Sequence, residues 1–373
     1  MDEEERKAVS PTEEPGRDTE TKSDGMRAFL AAARRVLLLV VLAVGVIALA
    51  ACGGGGGGGE QGGAAQTTAA APSTVNLRAG LNDPKDPNIA VLEFLPESIT
   101  VARGAKVQWR FTGPEPHSVT FFPRGQTPPA PGSNTSLFEP KPPKGPYDGT
   151  TLVNSGLQPT GPTSAAPFEV AFNTPGTYRY YCVIHPLMTG TVTVSQQASN
   201  ATPQSEITSQ GDQQLSRWLA EGRAAKQQLV HTPAKRTRNN DGTTTWGVEM
   251  GTTTQHTDVL AFGPAAPQIK AGDRVDFVNN SGAPHTASFG GQQSVPSDPE
   301  SPAAMKPAPG PSPQRLNASG FFNTGLLPPN APPGAAPPAR ARSFVFTVPR
   351  AGNYGYVCIL HAQSGMAGTI RAT

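Results

Sequence analysis

Two stretches of the chain follow the same pattern and decide the fold. GTYRYYCVIHPLM occupies residues 176–188, and GNYGYVCILHAQSGM occupies residues 352–366. Aromatic and β-branched residues precede the cysteine in both stretches, and such residues favour a β-strand. Each stretch therefore predicts a strand that ends near the cysteine, followed by a short loop that carries a histidine and a methionine.

The similarity between the two segments extends far upstream of these loops. At an offset of 168 residues (285 − 117), His117 matches His285 and Trp109 matches Phe277. A duplication of this length indicates that the chain contains two copies of one domain.

Both copies alternate apolar and polar residues with the period of a strand. Strands are predicted over residues 98–111, 168–172, 177–183 and 189–194 in the first copy, and over 268–278, 343–348, 353–359 and 367–370 in the second. Many short strands separated by turn residues favour an antiparallel sandwich. The predicted fold class is all-β, with two tandem β-sandwich domains and a short helical linker.

The composition agrees with loop-rich β domains. Of the 373 residues, 41 are Gly and 40 are Pro, and only 36% are hydrophobic. So many helix-breaking residues exclude a helical bundle. The net charge of +2 gives no reason to expect nucleic acid as a partner.

The N-terminal part has the features of an export signal. Arg34 and Arg35 precede an apolar run over residues 36–51, which is shorter than the ~20 residues of a membrane span. The run ends in LAAC (49–52), which resembles the lipobox of bacterial lipoproteins. The resemblance implies cleavage before Cys52, a lipid on Cys52, and a location outside the cytoplasm, anchored to the cell membrane on its periplasmic side. The alternative is an uncleaved membrane helix with a chance cysteine at its end.

The predicted organisation has five parts. They are an N-terminal extension with the lipoprotein signal peptide (1–51), a Gly-rich tether (52–73), a first domain (74–196), a helical and basic linker (197–242) and a second domain (243–373). A helix is predicted over 213–230, either as an arm that binds a partner or, the favoured interpretation, as a spacer that packs on a domain. The Pro- and Gly-rich stretches 123–150 and 290–340 are predicted to be surface insertions.

Four of the six histidines occupy repeated positions, and each copy combines two of them with one cysteine and one methionine. The candidate metal ligands are His117, Cys182, His185 and Met188 in the first copy, and His285, Cys358, His361 and Met366 in the second. Two imidazoles and a thiolate, with a thioether as a weak axial ligand, are the donors of a blue-copper electron-transfer site. The pattern therefore predicts one such site in each copy.

At these residues the chain resembles the cupredoxin family, which includes plastocyanin, azurin, amicyanin and pseudoazurin. The run GxYxYxC followed by CxxH is typical of that family. The spacing from His185 to Met188 looks like amicyanin, and the longer spacing from His361 to Met366 looks like plastocyanin and pseudoazurin. The resemblance implies an eight-stranded Greek-key sandwich with one type 1 copper per domain, hence two coppers per chain. The long insertions depart from the small members of the family.

The function implied by the resemblance is that of a membrane-anchored blue copper electron carrier, not an enzyme. Its partners would be extracytoplasmic redox proteins, such as cytochromes or membrane oxidoreductases. The apolar Pro186 and Leu187 beside His185 predict that the first domain offers the better docking face.

Two alternatives belong to other functional classes. A copper oxidase or reductase needs further histidines, yet the sequence has no His-x-His pair and no histidine directly beside Cys182 or Cys358. Copper storage or delivery usually relies on Met-rich or Cys-pair sites, and the chain has only six Met.

Overall fold

The predicted alternating segments of both copies contain strands, and further strands over 74–95 and 244–263 lie outside the predicted ones. A computed structural model of the chain describes residues 74–130, 132–158, 166–185, 187–290, 301, 305–310, 312–317, 319–330 and 341–373. The first copy contains β1 (Thr74–Asp83), β2 (Asp86–Leu95), β3 (Ser98–Ala102), β4 (Lys106–Phe111), β5 (Thr120–Phe121), β6 (Val153–Asn154), β7 (Phe168–Ala171), β8 (Gly176–Tyr181) and β9 (Thr189–Ser195). Short 3-10 helices cover Thr135–Phe138 and Ala198–Asn200.

The second copy follows a helix, α1 (Gln204–His231), and a short strand, β10 (Arg236–Arg238). Its strands are β11 (Thr244–Thr253), β12 (Thr257–Gly263), β13 (Gln268–Ile269), β14 (Arg274–Val278), β15 (Ser288–Phe289), β16 (Gln314–Arg315), β17 (Phe322–Asn323), β18 (Ser343–Thr347), β19 (Gly352–Val357) and β20 (Ala367–Ala372). In both copies the strand before the cysteine ends one residue before it, at Tyr181 and Val357, which is two residues earlier than the predicted ends at 183 and 359.

One long sheet runs through both copies. Its strands are ordered β16-β18-β14-β11-β12-β2-β1-β4-β7, and β10 pairs with β11 beside this path. Each copy adds a five-stranded sheet, β3-β9-β8-β5-β6 in the first and β13-β20-β19-β15-β17 in the second. Each copy is therefore a sandwich of one half of the long sheet and its own smaller sheet. This confirms the predicted all-β class of two tandem Greek-key sandwiches with a helical linker.

The two halves meet through equivalent strands. β2 and β12 pair antiparallel, and Ala90 lies opposite Asp258. Since 258 − 90 equals the repeat offset of 168, these two residues are each other's counterparts. The joint is therefore a pseudo-two-fold contact, in which the same edge of both copies pairs with itself. All described residues belong to one compact unit, Thr67–Thr373.

Each half has an aromatic core built from repeated positions. In the first, Trp109 packs edge-on against Tyr180 with ring centroids 5.1 Å apart. In the second, Phe277 packs against Tyr356 at 4.9 Å, and Phe262 packs against the same ring at 4.8 Å. Cys182 and Met188 belong to the first core, as Cys358 and Met366 do to the second. The candidate ligand loops are therefore held by the cores themselves.

The helix is longer than predicted and contacts both halves. It begins at Gln204 rather than at residue 213. Its first turns are mostly polar and show no apolar periodicity, although residues in them are buried against the first half. Ile207 is fully buried in the first core, and the Gln204 side chain accepts a hydrogen bond from the Asn76 backbone N–H at 2.8 Å. Further along, Trp218 packs with Ile89 of β2, and Leu229 packs with Val259 of β12. The helix therefore packs on both β2 and β12, the strand pair that joins the two halves.

The predicted basic linker contains a strand. Arg236–Arg238 pairs with β11, and the Arg236 guanidinium lies 5.5 Å from the centre of the Trp246 ring. Part of the insertion predicted over 290–340 and the whole of residues 1–73, including Cys52, lie outside the described residues. Among those described, no helix is long and apolar enough to cross a membrane.

Candidate metal centres

The first half brings three of its predicted ligands together. His117 follows β4 and is fixed by a backbone bridge to Gln158, whereas Cys182 and His185 follow β8. The Nδ1 atoms of His117 and His185 lie 3.0 Å apart. The Cys182 Sγ lies 3.5 Å from the His185 Nδ1. All three residues are buried, and these separations are those of atoms that share one metal ion.

The second half repeats this arrangement. The Nδ1 atoms of His285 and His361 lie 3.0 Å apart. The Cys358 Sγ lies 3.7 Å from the Nδ1 of His285 and 3.4 Å from that of His361. The same triad geometry therefore occurs twice, and each triad is drawn from one half only.

The two methionines are buried at the ends of the ligand loops. The Cys182 backbone N–H donates to the Met188 carbonyl at 3.0 Å, and the Cys358 N–H donates to the Met366 carbonyl at 3.0 Å. These bonds close each loop, although the second loop is two residues longer. Met188 and Met366 are 1% and 0% exposed, so each thioether is buried in the core cluster that also contains the cysteine of its half.

Backbone donors face each sulfur. The N–H of Ser118 points to the Cys182 Sγ, and the N–H of Thr286 points to the Cys358 Sγ, both at 3.4 Å. Both donors follow a candidate ligand histidine directly in the chain. Their hydroxyls accept hydrogen bonds from the residues after the cysteines, Val183 and Ile359. The upstream histidine and the cysteine loop are thereby tied together, which presets the site before any metal enters.

The electrostatics of both sites favour a thiolate. Burial by itself raises the pKa of Cys182, but the charges and hydrogen bonds of His185 and His117 outweigh it and hold this pKa well below the usual value. The histidines around Cys358 lower its pKa in the same way. The pKa of His185 is raised, because its partner Cys182 outweighs the effect of burial. Thiolate and imidazole are the donors that copper prefers, and metal binding there would displace the protons.

The upstream histidines differ in their outer contacts. The His285 Nε2 lies 2.7 Å from the Ser281 hydroxyl. The His117 Nε2 is buried and has no hydrogen-bond partner among the described residues. It lies instead against Gly80 of β1, where a Cβ atom would come within 1.9 Å of it. At the repeat offset of 168 residues, Ser281 corresponds to Gly113 of the first half. Because glycine has no hydroxyl, His117 lacks the contact that Ser281 provides to His285.

A carboxylate of the first half reaches a candidate ligand of the second. The Glu115 Oε2 lies 3.4 Å from the His361 Nε2, and both side chains are largely buried. Burial alone would raise the pKa of Glu115, but the hydrogen bond to His361 and the charges of three histidines hold it below the usual value. Glu115 stands two residues before His117, so a short chain segment links the two candidate sites.

The ligand loop of the second half has one further contact with the first half. The Asn88 amide nitrogen donates to the Ser364 carbonyl at 2.7 Å and to the Leu260 carbonyl at 2.8 Å. The face of the second site that carries His361 is therefore turned toward the first half.

Sequence reasoning missed Glu115 and Asn88. At the repeat offset Glu115 corresponds to Ala283, so the repeat gives no second copy of this carboxylate. Its position two residues before a candidate ligand was the available signal. Its contact with the other half follows from the pairing of β2 with β12, which the sequence pattern does not predict.

Comparisons with known proteins find a family model that matches the first half of the chain, and relatives that match about a third of its length. A model of the family described as "Copper binding proteins, plastocyanin/azurin family" matches residues 85–195. Plastocyanin from Scenedesmus fuscus is 33% identical over 111 residues, which are 30% of this chain and 85% of that protein. The chloroplastic plastocyanin of Tetradesmus obliquus is 32% identical over 111 residues, 30% of this chain and 57% of that protein.

Solved structures of the same kind are similar to the chain over about a third of its length. Oxidised plastocyanin from Dryopteris crassirhizoma is 27% identical and covers 32% of this chain and 100% of its own, with a TM-score of 0.21. A reduced Cu(I) form of an amicyanin mutant is 17% identical and covers 34% of this chain and 85% of its own, with a TM-score of 0.22.

Proposed function

Because the chain belongs to the plastocyanin/azurin family of copper-binding proteins, we propose that it is an electron carrier with one copper site in each half. The observation that carries the proposal is the pair of buried His–Cys–His triads, each complete within its own half. His117, Cys182 and His185 would hold one copper, and His285, Cys358 and His361 the other. Met188 and Met366 are the thioethers available as weak axial ligands.

The protein's contribution to electron transfer is to hold the donors in place. Bound copper supplies a one-electron couple, Cu(I)/Cu(II). The closed loops, the N–H donors to sulfur and the aromatic cores keep the donor atoms fixed, so a change of charge requires little movement of the chain. The side chains of both triads are at most 8% exposed, so solvent has little access to the donors. The test of this proposal is the number of coppers bound and of electrons accepted per chain.

We place the contact with an external redox partner at the first half. Leu187 lies between His185 and Met188 and is 52% exposed, whereas the other large apolar side chains among the described residues are more covered. An exposed apolar residue beside a ligand suits brief docking, since it excludes water without requiring a fixed charge pair. The partner would be a cytochrome or a membrane oxidoreductase.

Leu187→Glu should slow electron transfer to such a partner by roughly tenfold, the factor for about 1.4 kcal/mol of lost docking free energy. The visible spectrum should stay nearly unchanged, because Leu187 is not a ligand. Stopped-flow mixing of the reduced protein with an oxidised cytochrome measures the rate. Thr177→Glu is the matched control, because Thr177 is exposed at the opposite end of β8. Equal rates in both variants would place the docking site elsewhere.

We propose that the second copper site exchanges electrons with the first half of the same chain, because Glu115 of the first half contacts His361. Glu115→Gln keeps the size of the side chain but removes a negative charge beside His361. Because that charge stabilises the oxidised, more positive state of the site, its loss should raise the reduction potential of the second site. Potentiometry in a Cys182→Ser background reports this site alone. Glu139→Gln, which changes an exposed carboxylate, is the control. An unchanged potential in Glu115→Gln would show that the contact has no influence on the site.

The lipid anchor at Cys52 is also part of the proposal. It rests on the resemblance of residues 49–52 to a lipobox and would place the carrier at the outer face of the cell membrane. Cys52→Ala should yield a protein without lipid that binds copper normally, since Cys52 belongs to neither triad. Intact-mass spectrometry of the membrane and soluble fractions checks this. A lipid that persists on the variant would refute the assignment.

A further inference from the structure

A third group of candidate metal ligands lies where the two halves and the helix meet. Glu93 belongs to β2, Glu97 follows that strand, and His256 lies in the turn between β11 and β12. One ligand atom of each residue lies within 4.8 Å of the others. None of the three belongs to a copper triad. The donors of this group are two carboxylate oxygens and one imidazole nitrogen, without a thiol.

Glu93 is the residue of this group that needs a partner. It is 2% exposed, and its Oε2 is buried without any hydrogen-bond partner among the described residues. Burial and the nearby charge of Glu97 raise the pKa of Glu93 to about 9. A carboxylate that is buried beside another carboxylate is unfavourable unless a cation or a donor compensates it. A divalent cation between the two would supply this compensation.

His256 is held in the orientation of a metal ligand. Its Nδ1 lies 3.4 Å from the Glu221 Oε2 of the helix. Its ring stacks on Trp218, with centroids 4.7 Å apart and an interplanar angle of 15°. A carboxylate on one ring nitrogen is the usual outer contact of a metal-binding histidine, and it leaves the other nitrogen, Nε2, for the metal.

We propose that Glu93, Glu97 and His256 form a binding site for a divalent transition-metal cation, with Glu221 as the residue that positions His256. The oxygen and imidazole donors suit Zn²⁺ or Mn²⁺ better than Cu(I), which prefers sulfur. Such an ion would connect the end of β2 with the 254–257 turn of the second half. Its role is structural: it fixes the joint between the halves, independently of the proposed electron transfer.

Zinc titration of a chain that lacks both copper thiolates tests the site. The full-length Cys182→Ser/Cys358→Ser variant is freed of metal and titrated with Zn²⁺ by calorimetry. We expect one zinc per chain, a change in Trp218 fluorescence and a rise in Tm, because zinc binds the folded state. Glu93→Gln should abolish the binding and the rise in Tm, and Glu221→Gln should weaken binding by about tenfold. Glu139→Gln should bind zinc like the parent.

Two features keep the result interpretable. Glu93→Gln retains the side-chain shape and replaces the carboxyl group that would bind the metal by a neutral amide, so it should fold, and His256→Gln provides a second variant that removes a ligand. The copper-loaded wild-type chain gives a second background, in which zinc must also bind once. Absence of zinc binding in both backgrounds, or binding that survives both Glu93→Gln and His256→Gln, would overturn the proposal. Neither outcome bears on whether the triads bind copper.

Discussion

Cys182→Ser should remove the copper of the first half and leave that of the second in place. The thiolate is the donor that a serine hydroxyl cannot replace, since the hydroxyl stays protonated at neutral pH. The second triad draws no donor from the first half, because Cys358 has both of its histidines within its own half. Metal analysis should therefore fall from two coppers per chain to one, and about half of the red absorption should remain.

The mirror variant completes this test. Cys358→Ser should leave one copper bound in the first half, and the two single-variant spectra should add up to that of the wild type. Loss of both coppers from one substitution would show that the halves share a single site. An undiminished copper content would show that the cysteines are not ligands.

Gly80→Ala should destroy the first site without changing any ligand. Gly80 has φ +68°, and an added Cβ would lie 1.9 Å from the His117 Nε2. The methyl group and the imidazole cannot occupy the same space, so His117 must leave its position opposite Cys182. We expect loss of the first-half copper, measured by metal analysis and by the visible spectrum in a Cys358→Ser background.

Variants of two other glycines distinguish the effect of steric overlap with the histidine from the effect of backbone strain. Gly104 has φ +90° and open space around its Cβ position, so Gly104→Ala should cost about 1–2 kcal/mol of stability and leave the copper site intact. In the second half, Gly251 has φ +77°, and its Cβ would lie 2.8 Å from the His285 Nε2, which predicts a milder defect. Retention of the blue spectrum in Gly80→Ala would contradict the position assigned to His117.

The parts of the fold nearest to the repeated cysteine and histidine motifs could be predicted from the sequence. The motif before each cysteine predicted β8 and β19, and the matched histidines led to the two triads. Prediction works here because a strand and a short loop are local, and side chains on one short loop must converge. The duplication strengthened each assignment, since a chance cysteine or histidine would not recur in register.

The parts that could not be predicted depend on contacts between the copies. β2 and β12 are buried on most of their residues and do not alternate, so the sequence pattern predicts neither strand and does not indicate that Ala90 will lie opposite Asp258. The polar start of α1 has no clear apolar periodicity. Gln204 and Ile207 are held there by contacts with the first half, which the sequence of the helix does not reveal. Glu115 acts across the joint, and only the three-dimensional arrangement shows that it meets His361.

The most direct test of the central claim is the copper content and visible spectrum of the purified full-length chain after loading with Cu(II). We expect two blue coppers per chain, seen as strong absorption in the red that disappears when two electron equivalents of reductant are added. Copper bound at Glu93, Glu97 and His256 would not contribute to this absorption, because that group has no thiolate. One copper, or a spectrum without strong red absorption, would contradict the claim that each half holds its own blue copper site.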